Sequence, residues 1–164
     1  MNDYDRRLAM GLAHEANVLG HLRKAGWDAE PFGQGQLTPN MREHLRRYTP
    51  ISPVRWMPDI IAAIVTRTGL TRIVYVDAKA GDQWRRTGMH GCQIRSLETM
   101  EAWERWTHCP VYFMFTDLTV ITAERIRECG SDGPQYGNGS GNPYLLFPAI
   151  ACESFASKFG AVRV

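Results

Sequence analysis

Apolar and polar positions along the chain follow two periods in turn. Residues 4–25 set Leu8, Leu12, Ala16, Leu19 and Leu22 at helical spacing and stop at Gly26, a residue suited to ending a helix. Trp27 to Phe32 predicts a short strand. Asp59 to Thr66 (DIIAAIVT) is apolar on both faces, and Thr71 to Lys79 (TRIVYVDAK) is rich in β-branched residues. Both read as strands of a well-covered sheet, joined by a hairpin at Arg67-Thr68-Gly69. Residues 91–107 bring Ile94, Leu97, Met100 and Trp103 to one side of a second helix, and Val111 to Thr116 (VYFMFT) predicts a further buried strand. A short strand and helix around 119–128, a strand near 144–147 and a terminal helix near 151–159 complete the order. The expected class is α/β, with elements running α-β-β-β-α-β before the C-terminal appendages.

Two segments break this pattern. Residues 33–56 begin GQGQLTPN, contain Pro39, Pro50 and Pro53, and predict an inserted basic loop with a short helix at about 41–48. Residues 130–143 (GSDGPQYGNGSGNP) read as a flexible loop. With 164 residues, 44% of them hydrophobic, the expectation is a single domain spanning 1–164 with one substantial core. No apolar run approaches the length of a membrane span and the N-terminal stretch has no signal-peptide h-region, so a cytoplasmic protein with no membrane partner is expected. Cys92, Cys109, Cys129 and Cys152 lack metal-ligand spacing and read as reduced thiols.

Net charge is only +2, but its distribution is uneven. Arg42, Arg46, Arg47 and Arg55 fall in one stretch and Arg85 with Arg86 in another. Such clusters suit phosphates, although taken alone they equally suit a solvated surface. Trp56, Trp84, Trp103 and Trp106 read as core or interface, with base stacking the alternative for Trp84 beside Arg85 and Arg86. No nucleophile elbow and no phosphate-binding glycine loop is present, and GNGSGN at 137–142 is a loop rather than a nucleotide cradle. His14 reads as a polar helix histidine. His21, His44, His90 and His108 lack the spacing of metal ligands.

The carboxylates carry more information. Glu15 falls on or beside the apolar stripe of the first helix, where a lone charge is costly unless paired; alone, it reads as an edge residue reaching to water. Asp59 opens one central strand and Asp77 nearly closes the next, followed on the same face by Lys79. Asp is a poor strand residue, so two at one end of an apolar hairpin need an explanation. If Arg67, Thr68 and Gly69 form a three-residue loop with Gly69 left-handed, Thr66 pairs with Leu70 and Asp59 falls opposite Asp77. A two-residue loop would instead send Asp59 to the other face. Directly opposed carboxylates repel, and a divalent cation reverses that argument. Mg²⁺ takes a few carboxylate oxygens together with waters and substrate phosphate. Asp59 and Asp77 can supply those oxygens, with Glu15 joining from the helix and Lys79 polarising a metal-bound water.

Pro58-Asp59 followed by Asp77-Ala78-Lys79 resembles the signature of the PD-(D/E)xK nuclease superfamily, and Glu15 matches the acidic residue many members carry on the first helix. The resemblance spans about residues 5–116; residues 117–164 lie outside it. It implies a restriction-endonuclease-like core, a central mixed sheet flanked by helices, and metal-dependent phosphodiester hydrolysis. The implied ligands of Mg²⁺, or Mn²⁺ in its place, are Asp59, Asp77, Glu15 and the Ala78 carbonyl. Lys79 would orient the attacking water and the products would carry 5′-phosphate and 3′-hydroxyl ends. Gln93 resembles the helix glutamine of some branches and is a candidate DNA contact with Arg46, Arg47, Arg85 and Arg86. The RecB-like exonucleases, however, would need tyrosine where Leu97 stands. The small size looks more like Holliday-junction resolvases, which act as dimers, or a small restriction-type or repair endonuclease. No organic cofactor is expected. The alternative is a catalytically idle nucleic-acid-binding or protein-interaction module on the same scaffold.

Overall fold

The first helix, α1, forms over Asp3–Lys24, capped by Asn2, whose side chain accepts the Asp5 N–H at 2.8 Å. The structure, a computed structural model, describes residues 2–48, 56–80, 88–133 and 143–160. The buried stripe of α1 is rotated from the predicted one. His14, Val18 and Leu22 face the core, while Leu8 and Leu12 are 50% and 53% exposed and Ala16 is exposed. Burial of a polar histidine is made tolerable by a hydrogen bond of 3.0 Å from its Nε2 to the Met114 carbonyl, which fastens α1 to the sheet.

After α1 come β1 (Asp28–Pro31), a 3₁₀ turn (Gln34–Gln36), α2 (Pro39–Tyr48), β2 (Ile60–Val65), β3 (Thr71–Lys79), β4 (Met89–Gln93), α3 (Ile94–Thr107) and β5 (Val111–Phe115). The chain continues with β6 (Thr119–Thr122), α4 (Ala123–Cys129), β7 (Ser131–Asp132), β8 (Tyr144–Pro148), β9 (Glu153–Ser154) and α5 (Phe155–Phe159). Among the described residues, six strands make one mixed sheet in the order β1-β2-β3-β5-β6-β9, in which β3 and β5 run parallel and the other neighbours antiparallel. β4, β8 and β7 form a second, antiparallel sheet.

Two boundaries differ from the sequence reading. The helix expected over 91–107 begins at Ile94, because residues 89–93 pair with β8 as β4. The helix expected over 151–159 is confined to Phe155–Phe159; before it, Ala149–Ala151 make a 3₁₀ turn and Glu153–Ser154 add an edge strand to the main sheet. The loop expected over 130–143 contributes the two residues of β7, and residues 134–142 lie outside the described residues.

The β2–β3 hairpin has the three-residue loop. Thr66 N–H donates to the Leu70 carbonyl at 2.8 Å, Gly69 has φ +79°, and Ile60 pairs with Val76. One layer of core joins Val18 and Leu22 of α1 to Ile60, Ala62, Val74 and Val76. The other joins Leu97, Met100 and Trp103 of α3 to Tyr75, Val111 and Phe113. The helices thus cover opposite faces of the sheet, and β3 is apolar on both sides because both are covered. Among the described residues no helix is long and apolar enough to cross a membrane.

Candidate active site

Register and alternation bring the carboxylates together. Asp59 lies one residue before Ile60, the partner of Val76, so it stands opposite Asp77. The alternation of β3 turns Asp77 and Lys79 to the Tyr75 face, toward α3. Asp59 is held at three points. Its carbonyl accepts the N–H groups of Phe32 and Gly33 at 2.7 and 3.1 Å, and its Oδ2 accepts the Ala78 N–H at 2.8 Å. Gly33 packs closely on it: a Cβ there would lie 3.2 Å from Asp59 Cα and 3.3 Å from Asp59 Oδ1, tight enough to press on the carboxylate.

Lys79 Nζ forms an ion pair with Asp77 Oδ2 and donates to Ser96 Oγ of α3 at 2.8 Å. Asp77 is buried, and apart from that ion pair its Oδ2 has no hydrogen-bond partner. Glu15 reaches the same cleft from α1, on the other side of the sheet. Burial and the negative charges of Asp77 and Glu15 push the Asp59 carboxyl up to about 8, against the opposing pull of the Ala78 N–H and Lys79. Burial, then Asp77, raises Glu15 as well. Burial disfavours the charge on Lys79, but Asp77 and its other neighbours more than compensate and its pKa is raised.

Three acids and one ammonium at a half-buried strand end make a site that repels itself until positive charge is added. Among the described residues no three His, Cys, Asp or Glu side chains are gathered closely enough to hold a metal by themselves. A hard cation of the Mg²⁺ or Mn²⁺ kind takes one or two carboxylates and completes its shell with water and phosphate oxygens. Asp59 and Asp77, whose carboxylates meet at this strand end, fit that requirement.

The four residues open into a cleft of about 570 Å³. Its wall adds Gln93 and Arg42, singled out in the sequence, and Trp56, Arg95, Ser96 and Gln34, which were not. Ser96 lies one helical turn past Gln93 on α3, and no local signal marks it. Trp56 stands in an irregular stretch, where composition alone suggested burial.

No protein-family model and no curated protein matches the chain. Solved structures do. The Holliday junction resolvase Hjc of the archaeal hyperthermophile Archaeoglobus fulgidus superimposes with a TM-score of 0.53 at 12% identity, over 92% of this chain and 96% of that one. D212, a nuclease from a fusselovirus, superimposes with a TM-score of 0.51 at 15% identity, over 89% and 88%. The chain shares the fold of these two proteins, a central mixed sheet flanked by helices.

In this fold the remaining candidates are distributed unevenly. Gln93 ends β4 instead of lying on the second helix, and its Nε2 donates to Tyr144 Oη at 2.8 Å. Arg46 and Arg47 both pair with Glu43 on α2, at 2.7 and 2.6 Å, whereas Arg42 lines the cleft. Arg55, Trp84, Arg85 and Arg86 lie outside the described residues. His90, stacked on Phe115 with ring centroids 4.1 Å apart and bonded to Thr119, belongs to the packing between the two sheets.

Proposed function

We propose that the protein is a Mg²⁺- or Mn²⁺-dependent endodeoxyribonuclease, structure-specific in the manner of a Holliday-junction resolvase and acting as a homodimer. The observation that supports this most is the meeting of Glu15, Asp59, Asp77 and Lys79, remote in sequence, in one cleft of a nuclease fold. Asp59 and Asp77 hold the cation, with Glu15 beside them and the Ala78 carbonyl at the same strand end. Bound there, it supplies Lewis acidity and positive charge at the scissile phosphate.

The chain's own groups do the rest. Asp77 and Ser96 fix Lys79 Nζ from two sides, so its ammonium enters the reaction already oriented. It donates a hydrogen bond to the attacking water or to a non-bridging phosphate oxygen and offsets the charge that develops there. The water oxygen bonds to phosphorus and gives up a proton to solvent, the bond from phosphorus to the 3′-oxygen breaks, and that oxygen takes a proton from solvent. A 5′-phosphate and a 3′-hydroxyl remain. Asp59 must be ionised to hold the cation.

Incubation with supercoiled, linear and four-way-junction DNA, in Mg²⁺ and in EDTA, tests the reading. Cutting is expected with metal only, and Asp77→Ala or Lys79→Ala should abolish it while the fold persists. Cutting that survives EDTA contradicts the metal; an absence of cutting on every substrate leaves the idle binding module as the better account.

A further inference from the structure

The second sheet reaches the cleft through Gln93. Alternation along β4 turns His90 and Cys92 into the core and leaves Gln93 on the other face, where it joins the cleft wall. Its register partner on β8 is Tyr144, so the two side chains stand opposite each other, and Gln93 Nε2 donates to Tyr144 Oη at 2.8 Å. The next residue is tied to the same strand end: Ile94 N–H, the first of α3, donates to the Pro143 carbonyl at 2.9 Å. Among the described residues the wall does not include Tyr144, whose hydroxyl meets the site through Gln93.

A primary amide has two N–H donors and one carbonyl acceptor. Tyr144 takes one N–H, and among the described residues the Gln93 side chain makes no other hydrogen bond. One N–H is left for a substrate. Non-bridging phosphate oxygens only accept, so a donor is what they need. A charged donor beside Asp59 and Asp77 is captured by them, as Lys79 is by Asp77. A neutral amide escapes that capture and adds no charge that would compete with a cation for the carboxylates. An unanchored glutamine, however, has several rotatable bonds, and freezing them on binding offsets most of what one neutral hydrogen bond contributes. The bond to Tyr144 freezes them before DNA arrives.

We propose that Tyr144 is a positioning residue of the cleft: it holds the Gln93 amide so that the second N–H donates to a non-bridging phosphate oxygen of the bound DNA strand. This rests on the nuclease reading for its substrate, and binding tests it apart from cutting. Fluorescence anisotropy, with Ca²⁺ replacing Mg²⁺ to limit cutting, measures the affinity for labelled duplex and four-way-junction DNA, with urea unfolding alongside. Gln93→Ala should weaken binding about tenfold and Tyr144→Phe about threefold to fivefold, the scale of one hydrogen bond. Gln93→Glu, which keeps the length and replaces the donor by a negative charge, should weaken it at least as much as Gln93→Ala. In the Gln93→Ala background Tyr144→Phe should change nothing, because the hydroxyl acts through the amide. In Mg²⁺ these variants should raise KM by the same factors and leave kcat within about twofold. Wild-type affinity in either single variant, or an equal cost of Tyr144→Phe in both backgrounds, overturns the proposal; the second outcome makes the tyrosine purely structural. The expected binding pattern without cleavage in Mg²⁺ keeps the proposal and removes the nuclease activity, and a wild type that binds no DNA overturns both.

Discussion

Replacing Asp59 by asparagine should stabilise the metal-free protein at neutral and alkaline pH. Asparagine keeps an oxygen to accept the Ala78 N–H and removes the charge that Asp77 and Glu15 oppose. In the folded state the Asp59 carboxyl titrates at about 8, against 3.8 for an unperturbed group. The folded protein therefore binds more protons than the unfolded chain between these values, and stability falls as pH rises through the interval. At about 1.4 kcal/mol per pH unit, the interval caps the loss at about 6 kcal/mol. Side-chain relaxation and water entry reduce such penalties, so a loss of about 1–3 kcal/mol is expected. Urea unfolding in EDTA from pH 4 to 9 is the assay. Wild-type stability attributable to this site should decline toward pH 8, and Asp59→Asn should remove that decline and be the more stable protein at pH 8. Parallel pH profiles for the two, or a destabilised Asp59→Asn at pH 8, would refute the burial and carboxylate repulsion that raise the Asp59 carboxyl.

Other outcomes follow from the same geometry. Because Asp59 must lose its proton to bind a cation, Mg²⁺ affinity should rise up to about tenfold per pH unit below about pH 8 and level off above it, as read by titration calorimetry. Gly33→Val should crowd Asp59 and lower the cleavage rate at least about tenfold, while the hairpin core remains folded by circular dichroism. Ser96→Ala leaves Lys79 with Asp77 alone and should lower the cleavage rate about tenfold without changing Mg²⁺ affinity, with Ser96→Thr restoring part of the rate. Arg42→Ala should flatten the salt dependence of DNA binding by about one phosphate contact, and more than Arg46→Ala does, since Glu43 already neutralises much of Arg46 and Arg47.

What the sequence disclosed depended on how local its cause was. The register that opposes Asp59 to Asp77 was legible because one left-handed glycine, Gly69, sets the length of the hairpin loop and apolar runs on both sides fix the strands. β4 was not legible: Met89 to Gln93 lack a β-branched residue, and their pairing partner β8 is far along the chain. The stripe of α1 was misplaced for a related reason. Leu8 and Leu12 satisfy helical periodicity, but they line the cleft, and His14 is buried through a bond to Met114, a residue on another element. The carboxylates and Lys79 were legible as chemistry out of place on strands. Ser96 and Gly33 meet Lys79 and Asp59 only through the tertiary fold, and nothing next to them in the chain announces it.

Calorimetric titration of Mn²⁺ at pH 8 against the wild type, Asp59→Ala and Asp77→Ala examines the core of this account most directly. One saturable site in the wild type, weakened at least about tenfold in either variant while the fold is retained, is the expected result. No saturable binding in the wild type, or equal binding in all three proteins, would contradict the assignment of these carboxylates as the holders of a catalytic cation.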